Sequence, residues 1–348
     1  MRMSSRSRSE DVPSVTNQAK LAFLERPSAY PPGEDRVERM ETHMSWVFLT
    51  DHFAYKLKKP VRSRAVDLRS LEARRLNATR ELALNRRLAG DIYLDVVPLT
   101  VSPSGRLGLG GPGTPVDWLV RMHRLPRSCL LDESIRRGTV RNADVRRFTR
   151  ALAAFYRRSR PVPITPQAYR ARFRHSIASN RQSLLDPGAG LAPRTVERVT
   201  ARQLAFLDHA PELFDRRVRA RRIVEGHGDL RPEHVCMLPE RPVFIDCLEF
   251  DRTLRLLDPA DELAYLALEC ARHGAPDVGR IVLNTYKAAA PDDPPRALLA
   301  FYRSFRACIR AKLAVWHLSD RTVNNHGKWK HRAARYLAFA VADGERLV

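Results

Sequence analysis

The chain has 348 residues, 44% of them hydrophobic, which is enough for one large core or two lobes and excludes a disordered protein. Its net charge of +22 comes from 61 Lys and Arg residues against 39 acidic residues. No apolar run is long enough to span a bilayer, and residues 1–8 lack the apolar segment of a secretory signal, so we expect a cytoplasmic protein with no membrane partner.

The positive charge raises a nucleic-acid hypothesis, because dense Lys and Arg attract phosphates through counterion release. The basic residues are almost all arginines, however, and they are spread over most of the chain. The codon usage of a GC-rich genome explains the same composition. Nucleic acid is therefore an open partner that the composition does not favour.

The N-terminal part predicts a tail followed by a hairpin and a helix. Residues 1–17 are rich in Ser and Arg with almost nothing to pack, which is typical of disorder, and the folded part begins near Gln18. Residues 46–50 and 53–58 are two short runs of β-forming and aromatic residues, which predict a hairpin. Residues 68–89 carry spaced leucines and no Gly or Pro, which predicts an amphipathic helix.

Short strands follow this helix, and helices follow the strands. The strands are predicted at residues 96–100, 106–109 and 116–122, which completes a small lobe over residues 18–126. Residues 127–348 form a second lobe that is mainly helical. Its helices are predicted at 144–158, at two or three places within 166–222, and at 259–272, 295–318 and 328–342. The predicted fold class is α+β, with a small β-rich lobe and a larger helical lobe.

Two aspartates 17 residues apart suggest phosphoryl transfer. Asp229 lies on a short polar loop, and Asp246 ends the apolar run at residues 242–245. An aspartate on such a loop can accept the proton of an attacking hydroxyl. An aspartate at a strand end can hold magnesium against the phosphates of ATP.

Two lysines and a glutamate upstream fit the same chemistry. Lys56 and Lys58 point the same way, because strand side chains repeat every two residues, and Glu81 on the next helix can form an ion pair with one of them. In isolation these lysines would simply solvate an exposed strand. The order of lysine, glutamate, Asp229 and Asp246 along the chain is nevertheless the order of a kinase-like core.

Three motifs of the chain resemble those of a known family. His227-Gly228-Asp229, Ile245-Asp246 and the segment at residues 258–264 resemble motifs of the aminoglycoside phosphotransferase and choline kinase branch of the protein-kinase-like fold. The resemblance covers nearly the whole folded chain. It implies a two-lobed fold, ATP and Mg²⁺ as cofactors, Asp229 as catalytic residue and Asp246 as metal ligand.

A narrower resemblance concerns residues 41–50 and 55–60, which are similar to an uncharacterised bacterial group of aminoglycoside phosphotransferase family enzymes. In some of that group a P-loop domain follows. No Gly-x-x-x-x-Gly-Lys-Ser/Thr run occurs here, so we expect the kinase-like part alone. The resemblance makes Lys58 the better match to the phosphate-binding lysine and Lys56 the second. The remaining nucleotide contacts are expected from Ser45 in a glycine-poor loop and from Met122 and His123 at the end of the last strand.

His234 departs from the resembled pattern, which has Asn five residues after the catalytic Asp. A neutral imidazole is a poorer magnesium ligand than an oxygen atom. Three hypotheses stay open: His234 orients Asp229 or a water, it binds a metal at a site that favours Mn²⁺, or one metal site is lost.

The acceptor is expected to be a neutral or anionic small molecule. Residues 301–336 contain nine basic residues and a single acid, Asp320, whereas a site for a polycationic aminoglycoside should gather carboxylates. The leading hypothesis is thus an ATP- and Mg²⁺-dependent phosphotransferase acting on a hydroxyl group. The alternatives are a nucleotide-binding pseudokinase or RNA-associated regulator, and a kinase-like enzyme that transfers AMP. The oligomeric state does not follow from the sequence.

Overall fold

The computed structural model describes residues 15–62, 66–318 and 325–347. They form two compact units. The first ends at Pro126 but also includes Ile245–Asp251, and the second consists of Arg127–Phe244 and the chain from Arg252 onward. The sequence-based division left residues 245–251 in the C-terminal lobe, whereas the structure groups this segment with the N-terminal sheet.

The first unit is built on an antiparallel sheet of six strands. Its elements are α1 (Asn17–Leu24), β1 (Glu38–Glu41), β2 (Ser45–Leu49), β3 (Phe53–Lys58), α2 (Leu71–Ala89), β4 (Tyr93–Val101), β5 (Leu107–Leu109) and β6 (Thr114–His123). The spatial order of the strands is β1-β2-β3-β6-β4-β5. The sequence pattern does not predict β1, because all four of its residues are exposed and lack an apolar alternation. Residues 1–14 of the predicted tail lie outside the described residues.

The alternation of β3 decides what each face of the sheet carries. Tyr55 and Leu57 are buried in an apolar cluster with Phe48 and Leu119. Lys56 and Lys58 therefore lie on the opposite face. The predicted hairpin thus separates an apolar face from a face that carries two lysines.

Helix α2 begins and ends with recognisable caps. The Ser70 hydroxyl accepts a hydrogen bond from the Ala73 amide at 3.1 Å, and Gly90 ends the helix with a φ of +59°, which favours glycine. The helix packs against β4 and β6. Its buried face includes Asn77, Glu81 and Asn85, which are spaced four residues apart. These polar side chains therefore need partners in the interior of the unit.

The second unit is mainly helical. Its elements are α3 (Leu131–Arg137), α4 (Asn142–Arg158), α5 (Pro166–Leu184), α6 (Pro193–His209), α7 (Pro211–Arg219), β7 (Val224–Glu225), β8 (Val235–Met237), β9 (Pro242–Phe244), β10 (Leu256–Leu257), α8 (Pro259–Arg272), α9 (Pro276–Ala289), α10 (Arg296–Leu318) and α11 (His326–Gly344). Strands β7 and β10 pair antiparallel, as do β8 and β9. The predicted α+β class, with a β-rich N-terminal part and a helical C-terminal part, is confirmed.

Helix α8 is the central helix of this unit, because every residue from Pro259 to Cys270 is buried. Three of these residues are the acids Asp261, Glu262 and Glu269. Buried carboxylates require paired charges or hydrogen bonds, so the surrounding elements must supply them. Among the described residues, no helix is both long and apolar enough to cross a membrane.

A buried arginine illustrates how this requirement is met. The Arg217 guanidinium on α7 donates to both oxygens of Asp258, at 2.6 and 2.7 Å, and also to the Asp292 carboxylate. The Asp258 carboxylate in turn accepts a bond from the Ala260 amide at 2.9 Å and so caps α8. Asp258 is therefore the N-cap residue of α8.

We predict that Arg217→Met lowers the free energy of unfolding by about 3–5 kcal/mol, because it leaves two buried carboxylates without their cation. The measurement is urea denaturation followed by circular dichroism. The matched control is Arg219→Met on the same helix, because Arg219 has a 59% exposed side chain paired with Glu212. We expect the control to change stability by no more than about 0.5 kcal/mol. Equal effects of the two substitutions would contradict the role of Arg217.

Candidate active site

In the first unit, two lysines of β3 share one glutamate of α2. Lys56 Nζ lies 2.8 Å from Glu81 Oε1, and Lys58 Nζ lies 2.5 Å from Glu81 Oε2. Glu81 is fully buried. The ion-pair partner expected from the helix is therefore in contact with both candidate lysines.

The segment at residues 245–251 adds two more carboxylates. Lys56 Nζ lies 2.5 Å from Asp246 Oδ1, and Lys58 Nζ lies 2.7 Å from Glu249 Oε1. Burial alone would lower the pKa of Lys56, but the Asp246 and Glu81 carboxylates raise that pKa well above its usual range. Lys56 is therefore positively charged throughout the physiological pH range.

The two lysines differ in exposure. The Lys58 side chain is 2% exposed and lies against two buried carboxylates, whereas the Lys56 side chain is 12% exposed and contacts Asp246, whose own side chain is 42% exposed. Lys56 is thus the more accessible of the two lysines, although the sequence resemblance favours Lys58. Both side chains lie on one face, so periodicity alone does not separate them.

Asp246 has a strained backbone. Its φ of +60° lies in the left-handed region that residues other than glycine rarely adopt. The Asp246 amide donates to the Tyr93 hydroxyl at 3.1 Å, and the Cys247 amide donates to Asn85 Oδ1 at 2.9 Å. Strain of this kind persists where surrounding contacts enforce it and is concentrated at functional sites.

These residues fit a magnesium ion held jointly with a nucleotide. Mg²⁺ prefers oxygen ligands and is usually bound by one or two carboxylates together with substrate phosphates, which suits the exposed Asp246 carboxylate. In the described parts of the chain, no group of three or more His, Cys, Asp or Glu side chains is arranged to hold a metal ion. Asp246 would therefore bind the ion only together with other oxygen donors.

The other predicted nucleotide contacts also lie in the first unit. Ser45 pairs with Lys58 across β2 and β3, and its hydroxyl is buried without a hydrogen-bond partner among the described residues. Met122 and His123 end β6, where the His123 ring stacks on Phe53 with centroids 5.6 Å apart. Their contact with a nucleotide stays a prediction.

In the second unit, the Asp229 carboxylate is held by two donors. The Tyr265 hydroxyl donates to Oδ1 at 3.0 Å, and Arg231 Nε donates to Oδ2 at 3.0 Å. Burial alone would raise the pKa of Asp229, but Arg231, with smaller contributions from His234 and Arg310, holds that pKa well below its usual range. Asp229 is therefore an ionised acceptor at neutral pH.

The backbone of this loop is held by Glu262 of α8. Glu262 Oε1 accepts a hydrogen bond from the Gly228 amide at 2.6 Å, and Oε2 accepts one from the His227 amide at 3.1 Å. A Cβ atom at Gly226 would lie 2.6 Å from Glu262 Oε2. This close approach explains the glycine at position 226.

His234 contacts the loop through both ring nitrogens. Its Nδ1 lies 2.8 Å from the Asp229 carbonyl oxygen, which can only accept, and its Nε2 lies 3.2 Å from Arg231 Nη2, which can only donate. An imidazole with its proton on Nδ1 satisfies both contacts. This geometry favours the hypothesis that His234 orients the loop over the hypothesis that it is a metal ligand.

Three of the basic residues in α10 are paired with acids of other helices. Arg303 Nε lies 2.9 Å from Asp343, and Arg306 contacts both Asp261 oxygens, at 2.7 and 2.5 Å. Arg310 lies 3.5 Å from Glu269. The excess of positive charge in this region is thus smaller than the count along residues 301–336 indicates, because acids from outside that range neutralise part of it.

The main site residues that sequence reasoning does not find are Arg231, Tyr265 and Glu262 in the second unit, and Tyr93 and Asn85 in the first. Arg231 and Tyr265 bind the Asp229 carboxylate, and Tyr93 accepts from the Asp246 amide, whereas Glu262 and Asn85 accept from the amides of neighbouring loop residues. Of these five, only Arg231 is close in sequence to its partner, two residues from Asp229. Glu262 and Tyr265 lie within or beside the motif at residues 258–264. Their position at this motif is the sequence signal that points to them, although it does not indicate which residues they contact.

No family model matches this sequence. The chain is 32% identical over 292 residues, or 82% of its length, to uncharacterized proteins of Mycobacterium tuberculosis and Mycobacterium bovis. That match spans 56% of the length of those relatives.

Solved structures share the fold along nearly the whole chain. A choline/ethanolamine kinase family protein from Mesorhizobium loti has a TM-score of 0.52 at 16% identity and covers 93% of this chain and 98% of its own. A choline kinase from Cryptosporidium parvum has a TM-score of 0.53 at 8% identity, with 94% of each chain covered. An AMP-bound spectinomycin phosphotransferase has a TM-score of 0.51 at 12% identity and covers 94% of this chain and 99% of its own. The predicted protein-kinase-like fold, which these choline kinases and phosphotransferases share, is confirmed.

The lowered pKa of Asp229 predicts a specific dependence of stability on pH. A carboxylate with a lowered folded-state pKa stabilises the protein above its unfolded pKa of about 3.9, and this contribution is lost as pH falls towards the folded value. The difference in unfolding free energy between wild type and Asp229→Asn should therefore be constant from pH 8 to pH 5. Below about pH 4 the wild type should lose stability relative to Asp229→Asn. Urea denaturation across this range measures it, and a change between pH 5 and 8 would contradict the lowered pKa.

Proposed function

We propose that this protein is an ATP- and Mg²⁺-dependent phosphotransferase that transfers the γ-phosphoryl group to a hydroxyl of a small-molecule acceptor. The observation that carries the proposal is the contact of Lys56 with both Glu81 and the strained Asp246. Phosphoryl transfer requires a cation for the phosphates, a carboxylate that positions that cation, and a carboxylate for the metal ion. The AMP-bound relative of the same fold gives independent support for nucleotide binding.

Three charged residues of the first unit have separate roles in the proposed reaction. Lys56 binds the nucleotide phosphates, Glu81 positions Lys56, and Asp246 holds Mg²⁺. Lys58 is instead a structural residue, because its buried ammonium joins Glu81 to Glu249. The bound Mg²⁺–ATP supplies the phosphoryl group and neutralises part of its charge.

Asp229 is the proposed acceptor of the proton. The acceptor oxygen forms a bond to the γ-phosphorus while the bond from that phosphorus to the bridging oxygen of ADP breaks, and the hydroxyl proton passes to Asp229. His234 and Arg231 orient the loop.

We propose a neutral or anionic acceptor, because two of the three buried acids of α8 are already paired with arginines and the third, Glu262, accepts hydrogen bonds from the loop amides. Asp261 is bonded to Arg306, and Glu269 is bonded to Arg272 at 2.7 Å. A polycationic acceptor would need carboxylates without such partners.

The first test is stabilisation by Mg²⁺–ATP. At a concentration of about 100 times its Kd, a ligand that binds only the folded state adds about 2.7 kcal/mol, so the wild type should melt at a higher temperature with Mg²⁺–ATP. Asp246→Ala should abolish the shift, and the control Asp67→Ala, an exposed carboxylate paired with Arg69, should retain it. A normal shift in Asp246→Ala would rule out the assigned metal ligand.

The second test separates the two lysines. Lys56→Met should reduce ATP turnover by at least about 100-fold with a small change in stability, because a charge that stabilises the transition state is lost. Lys58→Met should lower the free energy of unfolding by about 3–5 kcal/mol, because Glu81 and Glu249 lose a buried partner. ATP turnover and urea denaturation of both variants show which lysine binds the phosphates and which one stabilises the fold. The reverse pattern would assign the phosphates to Lys58.

Labelled ATP then identifies the transferred group. Label from the γ position should appear on the acceptor, and label from the α position should remain in ADP. Transfer of the α label would instead indicate the AMP-transferring alternative.

A further inference from the structure

Tyr265 links the buried helix α8 to Asp229. The Tyr265 side chain is buried, and its hydroxyl donates to Asp229 Oδ1 at 3.0 Å. Arg231 donates to the other oxygen, Oδ2, also at 3.0 Å. The two oxygens of one carboxylate are thus held by donors from two different elements, which fixes the plane of the carboxylate. Each oxygen has two lone pairs, so capacity remains for a further hydrogen bond.

Tyr265 is itself held in place from α10. The Arg306 guanidinium lies over the Tyr265 ring, 5.4 Å from the centroid, and bonds to both oxygens of Asp261, one helical turn before Tyr265. Burial raises the pKa of Tyr265 well above its usual value. The hydroxyl therefore keeps its proton and donates a hydrogen bond to Asp229 at every pH at which an assay is practical.

We infer that Tyr265 is a positioning residue of the proposed phosphotransferase: it fixes the Asp229 carboxylate in the orientation that accepts the proton of the attacking hydroxyl. The inference rests on the proposed function. It also assigns a role to Asp261, which acts through Arg306 on the Tyr265 ring. Misplacement of a reacting group by about 1 Å can cost about 100-fold in rate, so the loss of one of two fixing donors should be measurable.

The test is Tyr265→Phe, which deletes the hydroxyl and keeps the ring against Arg306. The matched control is Tyr286→Phe, because Tyr286 is also buried and its hydroxyl donates to the carboxylate of Asp292 at 2.8 Å. Steady-state turnover of Mg²⁺–ATP is measured with water as the acceptor, together with the KM for ATP and the thermal shift caused by Mg²⁺–ATP. Asp229→Asn gives the rate of ATP turnover that remains without the catalytic carboxylate.

We expect Tyr265→Phe to lower kcat by about 10- to 100-fold, with the KM for ATP and the Mg²⁺–ATP shift within about twofold of wild type. Tyr286→Phe should keep kcat near the wild-type value even though it deletes a comparable buried hydrogen bond. A merely structural role for Tyr265 would make the two variants alike.

The outcomes distinguish a failure of the proposed phosphotransferase function from a failure of the positioning role of Tyr265. If the wild type shows no Mg²⁺–ATP shift, or turns over ATP no faster than Asp229→Asn, the proposed function is overturned. If the wild type is active, Asp229→Asn is not, and Tyr265→Phe keeps the wild-type kcat, only the positioning role is overturned. A rise in the KM for ATP at unchanged kcat would also overturn it, because that result would assign Tyr265 to nucleotide binding.

Discussion

The shared carboxylate of Glu81 is the interaction on which the candidate site of the first unit depends. Two lysines bind its two oxygens in the interior, and each lysine binds one further carboxylate of residues 245–251. Withdrawing an ion from water costs several kcal/mol, and only pairing offsets that cost, so none of the buried groups in this network is stable there alone. Three carboxylates face two lysines in this network, which leaves a surplus of negative charge. A divalent cation at the exposed Asp246 would neutralise that surplus.

The same constraint explains several buried arginines of the second unit. Helix α8 is buried along most of its length and still carries Asp261, Glu262 and Glu269. Arginine suits these positions, because its planar guanidinium can bind both oxygens of a carboxylate and remains charged when it is buried. Arg306 does so with Asp261, and Arg272 pairs with Glu269. Part of the arginine content therefore serves internal pairing, and the number of arginines does not by itself indicate a nucleic-acid partner.

Periodicity and motif spacing predict much of the fold and of the candidate site, and their failures have physical causes. The two-residue repeat of β3 places Lys56 and Lys58 on one face of the sheet. The four-residue spacing of Asn77, Glu81 and Asn85 places Glu81 on the buried face of α2. Neither rule tells Lys56 from Lys58, because that choice depends on which lysine meets Asp246 and which meets Glu249. The contact of Tyr265 with Asp229 joins a helix to a loop 36 residues away. No local pattern encodes such a contact, and the exposed edge strand β1 has no apolar signal to detect.

The lowered pKa of Asp229 bears on how such a site could work. A carboxylate whose pKa is lowered chiefly by the Arg231 charge is a weak base and would be a poor catalyst for a reaction that needs early removal of a proton. Phosphoryl transfer passes through a loose transition state in most analyses, and the attacking hydroxyl loses its proton late, so the carboxylate chiefly has to orient that hydroxyl. Arg231, which weakens Asp229 as a base, also fixes the direction of its carboxylate together with Tyr265. For this reaction, direction matters more than basicity, because positioning and charge supply nearly all of the catalysis.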